Sequence, residues 1–186
     1  WTDGEYAHLS SGTPDSKPTN PKDDQFYVIL DVKNPSNPVE AGRWHFPGTQ
    51  EGDSAPPLAR HPQLDAGHSL HNANVYPDRP DRAYCAWKDS GVITLDISDK
   101  SNISMLANVN YAPPFPGFTH TVLPLFEREM LVVTQEAVRQ GGEDYPKLVW
   151  LMDNRVETNP IITSTLPMAD TEDFFNCPGR YGAHNV

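Results

Sequence analysis

The sequence predicts an all-β fold, and within that class a β-propeller of which about three blades are visible. Nineteen prolines among 186 residues exclude a helical bundle, because a proline in a helix interior costs about 3 kcal/mol. A strand, an aspartate, a polar turn and a second strand recur in three copies along the chain. Repeated short strands of this kind are typical of propeller blades, whereas a β-sandwich requires no repetition.

The three copies share one register. They are YVILDVKNPSNPVEAGRW (27–44), VITLDISDKSNISMLANV (92–109) and VWLMDNRVETNPIITSTL (149–166). In each copy an aspartate ends the strand and an asparagine follows six residues later, at Asp31 and Asn37, Asp96 and Asn102, and Asp153 and Asn159. Side chains of this type cap the backbone that follows them, so we interpret these residues as turn formers and not as catalytic groups.

A further pair of strands precedes the second and the third copy. These strands are HNANVYP (71–77) and AYCAW (83–87), then HTVLPLF (120–126) and MLVVTQ (130–135). Four strands in a unit of roughly 60 residues is the size of a propeller blade. The link to the following hairpin has four residues (88–91) in one unit and twelve (137–148) in the next. The longer link contains Gly-Gly and Pro, which indicates a loop insertion.

The two ends of the chain predict complementary parts of a blade. WTDGEYAHLS (1–10) resembles a second strand, and YGAHNV (181–186) matches a first strand. Three blades do not close a ring, since propellers need about four or more. We therefore expect residues 1–186 to be part of a single β-propeller domain that further blades or a second copy must complete.

Three histidines recur in the register of the repeat. His71, His120 and His184 each open the first strand of a unit. The first strand of a propeller blade is the innermost, so equivalent positions on it converge on the central channel. Neutral imidazoles placed in this way suit a divalent or redox metal, with Zn, Fe, Mn and Cu not distinguishable. The alternative is that the three side chains only form hydrogen bonds at the strand ends.

Glu136 and His68 are two further candidates. Glu136 lies 16 residues after His120. Trp87 lies 16 residues after His71, so we expect Glu136 to take the place that Trp87 has in the preceding blade. A carboxylate there suits a fourth metal ligand or a catalytic general base, the alternative being a solvated loop carboxylate. His68 precedes His71 by three residues, on the opposite face of an extended strand, and is the weaker ligand candidate.

Composition and motifs exclude several other classes of protein. The net charge of −11 argues against nucleic-acid binding through phosphates. The longest apolar runs have five residues, as in 148–152, and are too short to span a bilayer. The sequence contains no GxSxG, Walker, GxGxxG or HExxH motif. Two distant cysteines, Cys85 and Cys177, leave the cellular compartment open.

The hairpins resemble a known repeat. ILDVKNPSNPVEAGRW and ITLDISDKSNISMLANV are similar to the LVIVD repeat, which is found in β-propeller proteins. GHSLHNANVYP, GFTHTVLPL, VVTQEAV and YGAHNV look like the histidine-bearing strands of that group. The resemblance covers the chain from about residue 27 onward and implies a propeller, with a histidine-lined site at its axis formed by His71, His120, His184 and Glu136. The third hairpin departs from the pattern at Asn154.

Two classes of function follow from these observations. The first is a metal-dependent enzyme that uses the cation as a Lewis acid or redox centre and acts on a small-molecule substrate. In this class Glu136 is the candidate catalytic residue. The second is a non-catalytic propeller that serves as an interaction module or a surface-presented binding module, with structural histidines. Stoichiometric metal in the purified protein distinguishes the two classes.

Overall fold

This computed structural model describes residues 2–167, 178–180 and 182–184. Within 2–167, short runs of β-branched and aromatic residues form eleven strands. The strands are β1 (Tyr6–Ser11), β2 (Phe26–Asp31), β3 (Val39–Trp44), β4 (Leu70–Tyr76), β5 (Arg79–Trp87), β6 (Gly91–Asp96), β7 (Ser104–Val109), β8 (Thr119–Leu125), β9 (Met130–Gln135), β10 (Leu148–Asp153) and β11 (Ile161–Pro167). The helical elements of this part are 3-10 turns of three residues, at Pro21–Asp23, Lys88–Ser90, Phe126–Arg128 and Gln140–Gly142. The predicted all-β class is confirmed.

The strands form three antiparallel sheets that are the blades of a β-propeller. Their orders are β1-β2-β3, β4-β5-β6-β7 and β8-β9-β10-β11. Each strand pairs with its neighbour in sequence, which is the meander connectivity of a blade. Among the described residues the sheets do not close into a ring. None of the helical turns found there has the length or the apolar content to cross a membrane.

The predicted aspartate register is confirmed by equivalent turns. Asp31, Asp96 and Asp153 are the last residues of β2, β6 and β10. In each turn the Oδ1 atom accepts a hydrogen bond from the backbone N–H two residues later, at 3.0, 2.9 and 2.9 Å. These side chains therefore cap turns, as expected for aspartate at a strand end.

Among the described residues the first blade has no innermost strand, whereas β8 is the innermost strand of the third blade. β1 pairs with β2 as β5 pairs with β6, so β1 is a second strand, as predicted for residues 1–10. The first strand that we predicted over 181–186 is absent from its described part, where 182–184 form a bend and irregular backbone. Residues 181, 185 and 186 lie outside the described residues. A strand needs a hydrogen-bonded neighbour, and no strand pairs with 182–184 within the part described.

The hydrophobic core lies between neighbouring blades. One cluster joins the first blade to the second and contains Tyr27, Trp87 and Ile93, all fully buried. The second cluster joins the second blade to the third and contains Val122 and Trp150. Side chains from both faces of the middle sheet enter these clusters, so β4 and β8 are held side by side. This packing brings the beginnings of the two innermost strands together.

Candidate metal site

The repeat register places three imidazole rings in a row. His71 is the second residue of β4, and His120 is the second residue of β8. Their ring centroids are 4.3 Å apart. The ring of His184 lies beyond them, 4.1 Å from that of His120, although no strand includes it. The rings of His71 and His120 meet because the innermost strands of adjacent blades converge, whereas His184 reaches them from irregular backbone.

Glu136, directly after β9, supplies a carboxylate to this row. Its Oε2 atom is 3.9 Å from Nε2 of His71 and 4.0 Å from Nε2 of His120. Its Oε1 atom is 3.6 Å from Nε2 of His184. Ligand atoms of His71, His120 and Glu136 all lie within 4.8 Å of one another. Two ligands of one ion at about 2.1 Å are at most about 4.2 Å apart, so small side-chain rotations suffice for a common ion.

One of the candidate ligands has an orienting partner on its second nitrogen. Nδ1 of His120 is 2.8 Å from the Thr121 hydroxyl oxygen, which matches the expectation that a neighbouring hydroxyl or amide fixes the ring. The Asn74 amide donates to the Val122 carbonyl oxygen at 3.1 Å and so ties β4 to β8.

Burial keeps the central imidazoles neutral. It lowers the pKa of His71 to about 4, and the charges of His120 and Lys88 act in the same direction. Burial and His184 also lower the pKa of His120, while the Glu136 carboxylate opposes the change. A neutral imidazole is the form that binds a metal. His71 and His120 therefore present their nitrogens as ligands without first losing a proton near neutral pH.

Phe118 forms a wall of the cluster and was not identified from the sequence. Its ring centroid is 5.0 Å from that of His71, and its carbonyl oxygen accepts a hydrogen bond from the Glu136 N–H at 3.0 Å. The Phe118 N–H donates to the Asp89 carboxylate at 3.1 Å. Asp89 is buried, which raises its pKa. Gly117 permits this close approach, because a Cβ at that position would collide with Asp89.

The loop inserted between β9 and β10 is held by a buried ion pair that the sequence also left unidentified. Nζ of Lys147 lies 3.3 Å from the Asp144 carboxylate and donates to the Gly117 carbonyl oxygen at 2.9 Å. Asp144 accepts the N–H of Val138 at 2.8 Å. Both charged side chains are 2 % exposed. The ion pair therefore fixes the loop that follows Glu136.

His68 is not brought to the cluster. It is buried, with Nδ1 2.7 Å from the Ser90 hydroxyl oxygen and Nε2 3.1 Å from the Ala59 carbonyl oxygen. Its own carbonyl oxygen accepts the indole N–H of Trp87. Both ring nitrogens therefore take part in structural hydrogen bonds. In the GHSLH segment His71 therefore lies in the cluster, while His68 holds the neighbouring chain segments through hydrogen bonds.

Strand pairing shows that Glu136 lies one residue beyond the position equivalent to Trp87 that its spacing predicted. Trp87 lies opposite the first residue of β4, and Gln135 lies opposite the first residue of β8. Gln135 therefore takes the place of Trp87, and Glu136 takes that of Lys88. The prediction from spacing was wrong because the β4–β5 hairpin has a second register shift and a shorter turn than the β8–β9 hairpin.

Comparison with known proteins bears on the repeat. The family model of the LVIVD repeat matches residues 23–45 and 81–111, which include β2–β3 and β5–β7. No curated protein matches the chain, and no solved structure matches it. The two matched segments carry the strand–aspartate–turn–strand hairpins of the first and second blades. These two matches show that the chain contains LVIVD repeats in its first and second blades.

Proposed function

We propose that the protein is a metal-binding β-propeller whose site consists of His71, His120, His184 and Glu136. The observation that supports this function is the approach of all three Nε2 atoms to one carboxylate, at 3.6–4.0 Å. The four residues come from three separate parts of the chain. Structural histidines at strand ends have no need to share a carboxylate, whereas ligands of one ion must approach one another.

The donor set narrows the chemistry of the bound ion. Three imidazoles and a carboxylate suit Zn, Fe, Mn and Cu, and they leave a coordination position open in a five- or six-coordinate ion. Such a metal supplies Lewis-acid or redox chemistry to a small-molecule substrate. Glu136 either binds the ion or holds a proton for the reaction, while Phe118 covers one side of His71.

A non-catalytic interaction module is the second candidate. It is favoured by the outermost strand of the third blade, on which Ile161, Ile162 and Leu166 are exposed large apolar residues. Exposed apolar groups on one strand are common at protein interfaces. This function does not require a metal, and it predicts that loss of the histidine cluster leaves partner binding unchanged.

Metal titration of the purified protein tests the proposal. We expect one metal per chain by elemental analysis and calorimetry, and more than about 100-fold weaker binding in H71A, H120A and E136Q, because each variant removes a ligand. H45A is the matched control, since His45 pairs with Asp53 outside the cluster and its loss should leave metal content unchanged. Absence of stoichiometric metal from the wild-type protein, or equal affinity in all variants, contradicts the proposal.

A further inference from the structure

A cavity of about 450 Å³ lies between the second and third blades, away from the histidine cluster. The cluster is at the beginning of β4 and β8, whereas the cavity is at their other end, where Asp78 and Leu125 line it. The rest of its lining comes from β5, β9 and the turns after β8 and β10. Pockets for drug-sized ligands occupy about 300–1,000 Å³, so this cavity is large enough for a small organic molecule.

Aromatic and apolar side chains form part of the cavity wall. Tyr84 and Phe126 both line it, with ring centroids 6.0 Å apart. Tyr76 packs against the two rings at 6.3 and 5.6 Å and so holds them in place. Pro124 and Met130 add apolar surface. An aromatic ring attracts a cation within about 6 Å of its centroid, and apolar walls favour an organic cation over a metal ion, which prefers oxygen ligands.

The Tyr84 hydroxyl is an unsatisfied polar group at this cavity. Tyr84 is 1 % exposed, and its hydroxyl forms no hydrogen bond with any of the described residues. Burial raises the pKa of Tyr84 to about 12, and the charge of Glu157 acts in the same direction. Glu157 lines the cavity, which places the hydroxyl end of the ring beside it. Buried polar groups usually have a partner, and a ligand that donates an N–H to this oxygen would supply one.

A second unsatisfied acceptor belongs to the same lining. Asn154 lines the cavity, and its buried Oδ1 atom has no hydrogen-bond partner within the part of the chain described. The Asn154 N–H donates to the Glu129 carbonyl oxygen at 2.7 Å, which joins the turn after β10 to the turn after β8. Two acceptors without donors favour a ligand with N–H groups over a quaternary ammonium ion, which has none.

Carboxylates outnumber cations in the lining. Three carboxylates and two guanidinium groups line the cavity, namely Asp78, Glu129 and Glu157 with Arg79 and Arg155. Arg79 binds Glu157 at 3.2 Å, and Arg155 binds Asp153, so each guanidinium has a carboxylate partner. Within the described residues no hydrogen bond or ion pair engages the side chains of Asp78 and Glu129. Glu129 acts on Arg155 only through its charge at longer range.

The charges around the lining do not reverse its negative sign. Arg82 also binds Glu157, at 3.0 Å, but it pairs with Asp81 and Asp96 as well. Glu127 and Arg128, on the turn after β8, carry opposite charges. The chain as a whole carries −11. A recessed site with excess negative charge and an aromatic wall attracts organic cations.

We propose that this cavity binds a small organic amine in its protonated form. The ammonium group pairs with Glu129, lies over the ring of Phe126 and donates a hydrogen bond to the Tyr84 hydroxyl oxygen. Glu129 and Phe126 belong to one turn, which the Glu129 N–H closes on the Phe126 carbonyl oxygen at 3.1 Å. The carbon chain of the ligand lies against Pro124 and Met130. A free amine and the side chain of a lysine in a peptide share this chemistry.

NMR titration of the protein with butylamine hydrochloride, in phosphate buffer without other amines, tests the inference. We expect saturable shifts at Phe126 and Glu129, which added salt should weaken. 1-Butanol and butyrate are matched probes, neutral and negatively charged, and should bind more weakly. Nα-acetyl-lysine methylamide distinguishes the two sources of the ligand. Tighter binding than butylamine indicates a lysine side chain, and equal or weaker binding indicates a free amine.

Two variants remove the groups that contact the ammonium ion. E129Q and Y84F should each weaken butylamine binding about three- to tenfold, through loss of an ionic contact and of a hydrogen bond. Y84F should not lower the urea midpoint, because the hydroxyl has no partner within the described residues. In the control Y111F, loss of the contact with Thr119 should lower the midpoint and leave amine affinity unchanged. E51Q, at an exposed glutamate outside the cavity, is the control for E129Q.

Several outcomes overturn the inference. Absence of shifts with butylamine does so, as do shifts of equal affinity with 1-butanol or butyrate. Amine affinity that is unchanged in E129Q or in Y84F, or that falls equally in Y111F and E51Q, also overturns it. These measurements require no metal, because the cavity and the histidine cluster are at opposite ends of β4 and β8. Failure of the amine site therefore leaves the metal proposal standing, and the reverse also holds.

Discussion

The backbone of Phe118 is the clearest sign of constraint at the scale of single residues. Its φ is 62°, in the left-handed region that a bulky aromatic residue rarely adopts. Such strain costs about 1–2 kcal/mol and persists where the surrounding contacts determine the conformation. Here those contacts are the Asp89 carboxylate and the Glu136 N–H. Strain at this residue thus accompanies the positioning of Glu136.

Replacement of Phe118 should separate stability from site geometry. In F118G we expect a free energy of unfolding within about 1 kcal/mol of the wild type, because relief of strain offsets the loss of ring packing. Metal affinity should fall about tenfold, since His71 and Glu136 lose a support. The control E129G relieves a φ of 52° far from the cluster and should stabilise the protein without an effect on metal. Urea denaturation and metal titration measure both quantities, and unchanged metal affinity in F118G contradicts the positioning role.

His8 makes the stability of the metal-free protein depend on pH. Burial lowers its pKa to about 4, and its Nδ1 atom is 2.6 Å from the Tyr27 hydroxyl oxygen. In the unfolded chain the pKa of His8 is higher, near 6.5, so the unfolded state takes up the proton first as pH falls. The contribution of neutral, buried His8 to the free energy of unfolding is therefore lost between about pH 6.5 and 4. We expect the free energy of unfolding to drop by about 1–3 kcal/mol over this range. In H8Q the drop should be smaller, and an equal drop in both proteins in urea denaturation refutes the role of His8.

At the scale of elements, the sequence predicted the strands better than the contacts between them. Alternating apolar residues and Asx turns are local signals, so β9 was predicted at 130–135 with its observed bounds. Convergence of His71 and His120 followed from their shared register on innermost strands. The place of Glu136 was wrong by one residue, because a register shift within a hairpin leaves no local signal.

Other parts of the site could not be predicted because they depend on packing between blades. Phe118 meets His71 and Lys88 only across the interface of the second and third blades. Arg180 reaches Glu136 from a distant part of the chain. No sequence spacing encodes such contacts, since they require the relative position of whole sheets. The sequence therefore indicates the chemistry of the donors but not the groups around them.

The loop between β9 and β10 should depend on its buried ion pair. K147M leaves the Asp144 carboxylate buried without its counter-charge, and we expect a loss of about 3 kcal/mol in the free energy of unfolding. The double variant D144N/K147M should recover part of the loss. K33M, at an exposed lysine, should change stability by less than about 0.5 kcal/mol. A double-mutant cycle by urea denaturation measures the coupling, and additive effects contradict the importance of the pair.

At the scale of the whole molecule, the three sheets formed by the described residues do not close into a ring. The first sheet has three strands, and β1 in second-strand register is its inner edge. An open edge presents backbone N–H and C=O groups that can pair with another strand. We expect the chain to associate through such edges, with a mass by light scattering that rises above that of one chain as concentration increases. A constant mass of one chain at high concentration contradicts this expectation.

The central claim is that three imidazoles and one carboxylate, contributed by different parts of the propeller, bind one metal. X-ray absorption spectroscopy of the Zn²⁺-loaded protein tests it most directly, because the spectrum reports the number and type of ligands. The account predicts imidazole scattering from three rings, with nitrogen and oxygen ligands at about 2.0–2.2 Å, and fewer imidazoles in H71A. A spectrum without imidazole scattering, or one that is identical in H71A and the wild type, contradicts it.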